Sequence, residues 1–140
     1  MTHETKTKWL GKMAFEAEVD GHKIIVDATE DVGGENLGPT PKPLLLASLA
    51  GCTGMDVASL LKKMRAEVED FEVNISGELT DEHPKYYSSI HVEYIFKGSD
   101  LKRDKLEKAV NLSQERYCGV HFMLSKAAVL THEIIYIETA

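Results

Sequence analysis

Between Leu44 and Leu61 the chain reads LLLASLAGCTGMDVASLL, a helix-length run whose first half is apolar on every side. A helix without a polar stripe has to be covered all round. A single sheet covers one side, and in a chain of 140 residues a second subunit could cover the other. The spacing predicts a helix from about Lys42 to Ala66, with Thr40 as its cap and proline in its first turn. Its second half, DVASLLKKMRAE, regains a charged side. Inside the run, Cys52 stands between Gly51 and Gly54. Each glycine costs such a helix roughly 1 kcal/mol relative to alanine. That cost makes sense where another backbone or a ligand must come close to the sulfur.

The rest of the chain supplies the covering elements. Thr7 to Thr29 reads as two strands joined at Asp20-Gly21, with Met13, Phe15, Ala17 and Val19 alternating on one face. EDVGGENLGPTPKP, from Glu30 to Pro43, is a loop by its glycines, prolines and acids. After the long helix, EDFEVNISGEL alternates Phe71, Val73 and Ile75, and SIHVEYIF alternates Ile90, Val92, Tyr94 and Phe96. TDEHPKYYS joins these two strands as an antiparallel connection. Ser99 or Asp100 then caps a helix through about Tyr117, apolar at Leu106, Val110 and Leu112. Cys118 and Gly119 break it, VHFMLSKAA forms a short further helix, and HEIIYIET is a last strand. The order is that of an α+β protein without repeats or linkers, hence one domain over residues 1–140.

Charge and length exclude several function classes. A net charge of -7 argues against a nucleic-acid partner, whose phosphates want a basic stripe, and against an anionic membrane surface. MTHETKTKWLGKM has no apolar run of signal-peptide length. The longest uncharged run, Pro43 to Met55, is shorter than the roughly 20 residues of a membrane helix. The expected compartment is therefore the cytoplasm, where cysteines are reactive or simply packed rather than permanently bridged.

Cys52 and Cys118 are the candidate chemical residues. A free cysteine is also a good small hydrophobe, so burial alone would explain either. The glycines beside Cys52 and the chain break at Cys118, in ERYCGVH, instead suit an attacking and a resolving thiol. A metal is the rival use: Cys118 and His121 have the spacing of a short ligand pair that His91 or His132 could join, but no second tight pair exists. No phosphate-binding loop, dinucleotide fingerprint, serine-hydrolase elbow or zinc-protease helix motif is present. A thiol attacks as thiolate, and burial opposes ionisation. Asp56, one helical turn beyond Cys52, would oppose it further if it faced the sulfur, so Arg116, His121 or the lysines of the N-terminal strands are the candidate activating cations.

GPTPKPLLLASLAGCTGMDV and SQERYCGVH, taken together, resemble the OsmC/Ohr family of thiol-dependent peroxidases, in its YhfA-like branch, over nearly the whole chain. The resemblance implies an α+β fold, with two antiparallel sheets around long central helices in an intertwined homodimer. It implies that Cys52 attacks a hydroperoxide and Cys118 resolves the product as a disulfide. It further implies regeneration by a dithiol of lipoyl or thioredoxin type, and no metal, flavin or haem. Two positions depart from the peroxidase pattern. No arginine precedes Arg65, and Pro43, after Lys42, stands where a glutamate is expected at the start of the central helix. The alternative is therefore a non-peroxidatic dimer, a redox sensor or small-molecule binder that retains the fold and the cysteines.

Overall fold

The computed structural model describes all 140 residues. Its contacts divide the chain into two compact units, Met1–Leu45 and Leu46–Ala140.

The first unit is a three-stranded antiparallel sheet of β1 (Lys6–Gly11), β2 (Ala14–Val19) and β3 (His22–Val26), in that order. The β2–β3 turn falls at Asp20-Gly21, both left-handed at φ 50 and 76. The first strand goes beyond the two expected. KTKWLG shows no apolar alternation, and its turn runs through left-handed Gly11 and Lys12, a pair with a weaker turn signature than Asp-Gly. Register places Trp9, Phe15 and Val26 in one cross-strand row and Thr7, Ala17 and Ile24 in the next, so one face of this sheet is apolar. Past β3, buried Asp27 accepts hydrogen bonds from the backbone N–H groups of Ala28 at 2.7 Å and of Glu35 and Leu37 at 3.1 Å. Burial works to raise its pKa, but these three donors outweigh it and hold the carboxyl below its ordinary value.

A long helix, α1 (Pro41–Met64), crosses the unit boundary. The second unit continues with β4 (Asp70–Leu79), β5 (Tyr87–Gly98), α2 (Arg103–Leu112), α3 (Gly119–Ser125) and β6 (Val129–Glu138). β4 and β5 pair antiparallel, as their alternation predicts. β6 runs parallel to β5, because the chain crosses over through α2 and α3 before returning, so this sheet is mixed where two antiparallel sheets were expected. Its core joins Ile90, Val92, Tyr94 and Phe96 of β5 to Leu49, Val57 and Leu61 of α1 and Leu106, Ala109 and Val110 of α2. Phe71 stacks on its cross-strand neighbour Phe96 at a ring separation of 4.6 Å. No buried side-chain nitrogen or oxygen lacks a hydrogen-bond partner.

Three details differ from the sequence reading. α2 starts later, with Lys102 at its N-cap position and no side-chain cap, while Asp100 accepts a bond from Lys102 Nζ at 2.9 Å. α1 is long and apolar enough to cross a bilayer by length and composition, a property that counting uncharged residues overlooks. Of α1, this chain buries one stripe, Leu49, Thr53, Val57 and Leu61, and leaves Leu45 and Met55 exposed.

Candidate functional site

Cys52 and Asp56 lie one turn apart on α1, a spacing that puts both side chains on the same flank of the helix. Cys118 reaches that flank from the break between α2 and α3. There the helix widens into a single π turn, Ser113–Tyr117, closed by the Cys118 N–H donating to the Ser113 carbonyl at 2.8 Å. Cys118 then turns extended, at φ -81 and ψ 99, and its sulfur accepts the His121 N–H at 3.3 Å as the cap of α3. The outcome is a trio: the two sulfurs and a carboxylate oxygen of Asp56 all lie within 4.8 Å of one another. Both thiols are free, Cys52 half-buried and Cys118 buried.

The electrostatics around Cys118 oppose ionisation. Burial pushes its thiol up from 9.0 to about 12, with the Cys52 thiol and the Asp56 charge adding to the effect and the His121 N–H working against it. Neither Arg116 nor His121, two of the cations expected from the sequence, supplies the missing charge. Arg116 is exposed, with its guanidinium 5.7 Å from the centre of the Tyr117 ring. His121 meets the sulfur through its backbone, and burial and then His132 lower its imidazole pKa, which favours the neutral ring. His91 is engaged elsewhere, with Thr131 Oγ1 at 2.7 Å and Glu133 Oε1 at 3.2 Å.

Beneath the trio runs a chain of polar side chains that sequence reading did not find. Ser113 Oγ donates to Asp56 Oδ2 at 2.9 Å. With its one proton committed there, Ser113 accepts from Thr53 Oγ1 at 2.8 Å. Thr53 in turn accepts from the Tyr94 hydroxyl at 2.7 Å, and Tyr94 accepts from Gln114 Nε2 at 3.2 Å. The carboxylate thus sets the direction of every bond in the series. Burial raises the Tyr94 pKa above its ordinary 10.0, in keeping with a donating, protonated phenol. The one legible signal was a polar Thr53 and Asp56 at three-residue spacing in an apolar helix; Ser113, Tyr94 and Gln114 reach them from distant segments.

Two surfaces flank this site. A cleft of about 420 Å³ is lined by Met55, Asp56, Ser59, Leu60, Lys63 and Tyr117. An open groove of about 400 Å³ runs along Ala50, Gly51, Gly54, Met55 and Ala58 beside Phe71 and Val73. A methyl group at Gly51 would touch nothing, and one at Gly54 would make an ordinary 3.6 Å contact with Val73. Nothing within this chain therefore requires either glycine.

Residues 33–133 match the family model for OsmC-like protein. Protein YhfA of Escherichia coli (strain K12) is 35% identical over 130 residues, which cover 92% of this chain and 94% of YhfA. A crystal structure of a hypothetical protein from Aquifex aeolicus VF5 superposes with a TM-score of 0.82 at 30% identity, covering 99% of each chain. The organic hydroperoxide resistance protein OhrB of Bacillus subtilis shares the fold, with a TM-score of 0.68 at 19% identity over 96% of this chain and 98% of that one.

Proposed function

Since the chain belongs to the OsmC-like family, we propose that it is a thiol-dependent reductant of organic hydroperoxides, acting as one OsmC-like domain over residues 1–140 in the cytoplasm. The observation that carries this reading is the approach of the two sulfurs and the Asp56 carboxylate to within 4.8 Å of one another. Cys52 is the attacking residue and Cys118 the resolver. Cys52 is the more exposed of the two, while the Cys118 thiol is buried and pushed up to about 12. Cys118 sits in extended backbone at a helix break, where a local shift can bring the sulfurs to bonding distance. The adjoining cleft is mixed, with Met55, Leu60 and Tyr117 to seat the apolar group of an organic hydroperoxide beside Asp56, Ser59 and Lys63. A dithiol of lipoyl or thioredoxin type restores both thiols by exchange.

The working form is a homodimer. Trp9, Phe15 and Ile24 leave 61%, 40% and 37% of their surfaces exposed on the apolar face of the first sheet. The groove along Gly51 and Gly54 leaves the apolar flank of α1 uncovered and lets a second backbone come close. A second copy covers both, and it answers the helix's need for burial all round.

The test is thiol titration before and after one equivalent of cumene hydroperoxide or hydrogen peroxide. Wild type should lose both thiols to an intramolecular disulfide, Cys118→Ser should trap a sulfenic acid on Cys52, and Cys52→Ser should stay reduced. Absence of a sulfenic acid in Cys118→Ser at peroxide excess would replace this reading with the sensor or binding protein, for which the lack of an arginine before Arg65 and of a glutamate at Pro43 already argues.

A further inference from the structure

If the two cysteines are the reactive pair, their thiols need a proton acceptor, and neither Arg116 nor the His121 ring brings a charge that would ionise Cys118. We infer that Asp56 is a proton relay for both thiols, taking the proton from the attacking sulfur and returning it to the leaving group in each of two successive steps. This rests on the proposed thiol chemistry and adds the residue that makes it run at neutral pH.

The geometry carries the inference. The Asp56 carboxylate lies within 4.8 Å of both sulfurs, a gap that one water or a small side-chain turn closes, so one base is placed to serve Cys52 and Cys118 alike. Of the trio, Asp56 is the residue that lines the 420 Å³ cleft, which puts it between the sulfurs and that cleft's contents. Ser113 holds Oδ2 at 2.9 Å, and the directed series through Thr53, Tyr94 and Gln114 keeps that hydroxyl pointing at the carboxylate. Ser113 is the one side-chain hydrogen-bond partner of the carboxylate, so it leaves acceptor capacity on Asp56 for a thiol proton. Ser113 is thus a positioning residue, and the buried chain has a use beyond packing.

In the first step the Cys52 thiol proton passes to Asp56 as sulfur attacks the distal peroxide oxygen. The S–O bond forms, the O–O bond breaks, and the departing alkoxide takes the proton back from Asp56 as the alcohol. Sulfur is oxidised by two electrons and the peroxide is reduced by two. In the second step the Cys118 proton passes to Asp56 as that sulfur attacks the Cys52 sulfenic acid. The S–S bond forms, the S–OH bond breaks, and hydroxide leaves with the returned proton as water.

Asp56 has two opposing effects, which makes the test decisive. As a fixed negative charge it disfavours thiolate, so Asp56→Asn should hold or raise the rate of thiol alkylation by iodoacetamide at neutral pH. As a relay it is needed in the transition state, so the same variant should slow single-turnover consumption of cumene hydroperoxide by on the order of 100-fold. Asp56→Glu should recover part of that loss. Ser113→Ala keeps the carboxylate and should slow peroxide consumption several-fold without slowing alkylation. Near-UV circular dichroism of each variant checks the fold. Exchange with glutathione disulfide, whose leaving thiolate also needs a proton, separates this inference from the peroxide reading. If wild type ignores peroxide but exchanges, and Asp56→Asn slows the exchange, the relay stands and the peroxide assignment falls. If Asp56→Asn keeps both rates within about twofold of wild type, or changes them in step with alkylation, the relay is overturned. A wild type inert to both reagents overturns the relay and the reactive pair together.

Discussion

Thr53→Val tests the buried polar chain at its middle. Valine keeps the shape of threonine and removes only the hydroxyl. Because Ser113 already donates to Asp56, Thr53 donates to Ser113 and receives from Tyr94. Without the Thr53 oxygen, Ser113 still has Asp56, but the Tyr94 hydroxyl loses its acceptor in a residue with no exposed surface. One stranded buried donor costs roughly 1–3 kcal/mol. Thr53→Ser keeps the chain and loses one buried methyl, about 1 kcal/mol with the small void it leaves. The expected order of destabilisation is therefore Thr53→Val above Thr53→Ser. Adding Tyr94→Phe to Thr53→Val should recover most of the difference, because it removes the stranded donor. Urea unfolding at one fixed protein concentration reads this, since the midpoint of a dimer depends on concentration. A Thr53→Val protein as stable as wild type, or more stable than Thr53→Ser, would refute the assigned bond directions.

Three further outcomes follow from other parts of the molecule. The Cys118 thiol, neutral in the fold up to about 12 against an ordinary 9.0, stabilises the native state below pH 9 and loses that contribution as pH rises beyond it; wild type should weaken between pH 9 and 11, and Cys118→Ala should show a shallower decline in urea midpoints. The Asp27 carboxyl, held below its ordinary value, contributes stability that is present above about pH 4 and lost as pH falls through the lower native pKa. Asp27→Asn should accordingly be less stable at pH 7 and less acid-sensitive between pH 4 and 2, as circular dichroism would show. Light scattering at micromolar concentration should return twice the 15.6 kDa chain mass, and Gly51→Leu should push the protein toward the monomer while circular dichroism of the chain stays that of wild type, because a Cβ at this position meets nothing within the chain.

The sequence by itself determined the local periodicities and the candidate thiols. Alternation at Phe71, Val73 and Ile75 and at Ile90, Val92, Tyr94 and Phe96 marked β4 and β5, because a pleated strand sends every second side chain to the core. The apolar run around Cys52 marked α1, and the chain break at Cys118 marked the α2–α3 junction. β1 stayed hidden because an exposed strand without alternation leaves no periodic trace. Only the tertiary structure decided that β6 lies parallel to β5, since strand direction follows from the crossover and not from strand composition. It alone decided that Arg116 faces Tyr117 and that Asp56 stands beside both sulfurs. Ser113, Tyr94 and Gln114 join Thr53 and Asp56 by the same cause: side chains remote in sequence become neighbours through packing, and hydrogen bonds between them carry no signature in either segment alone.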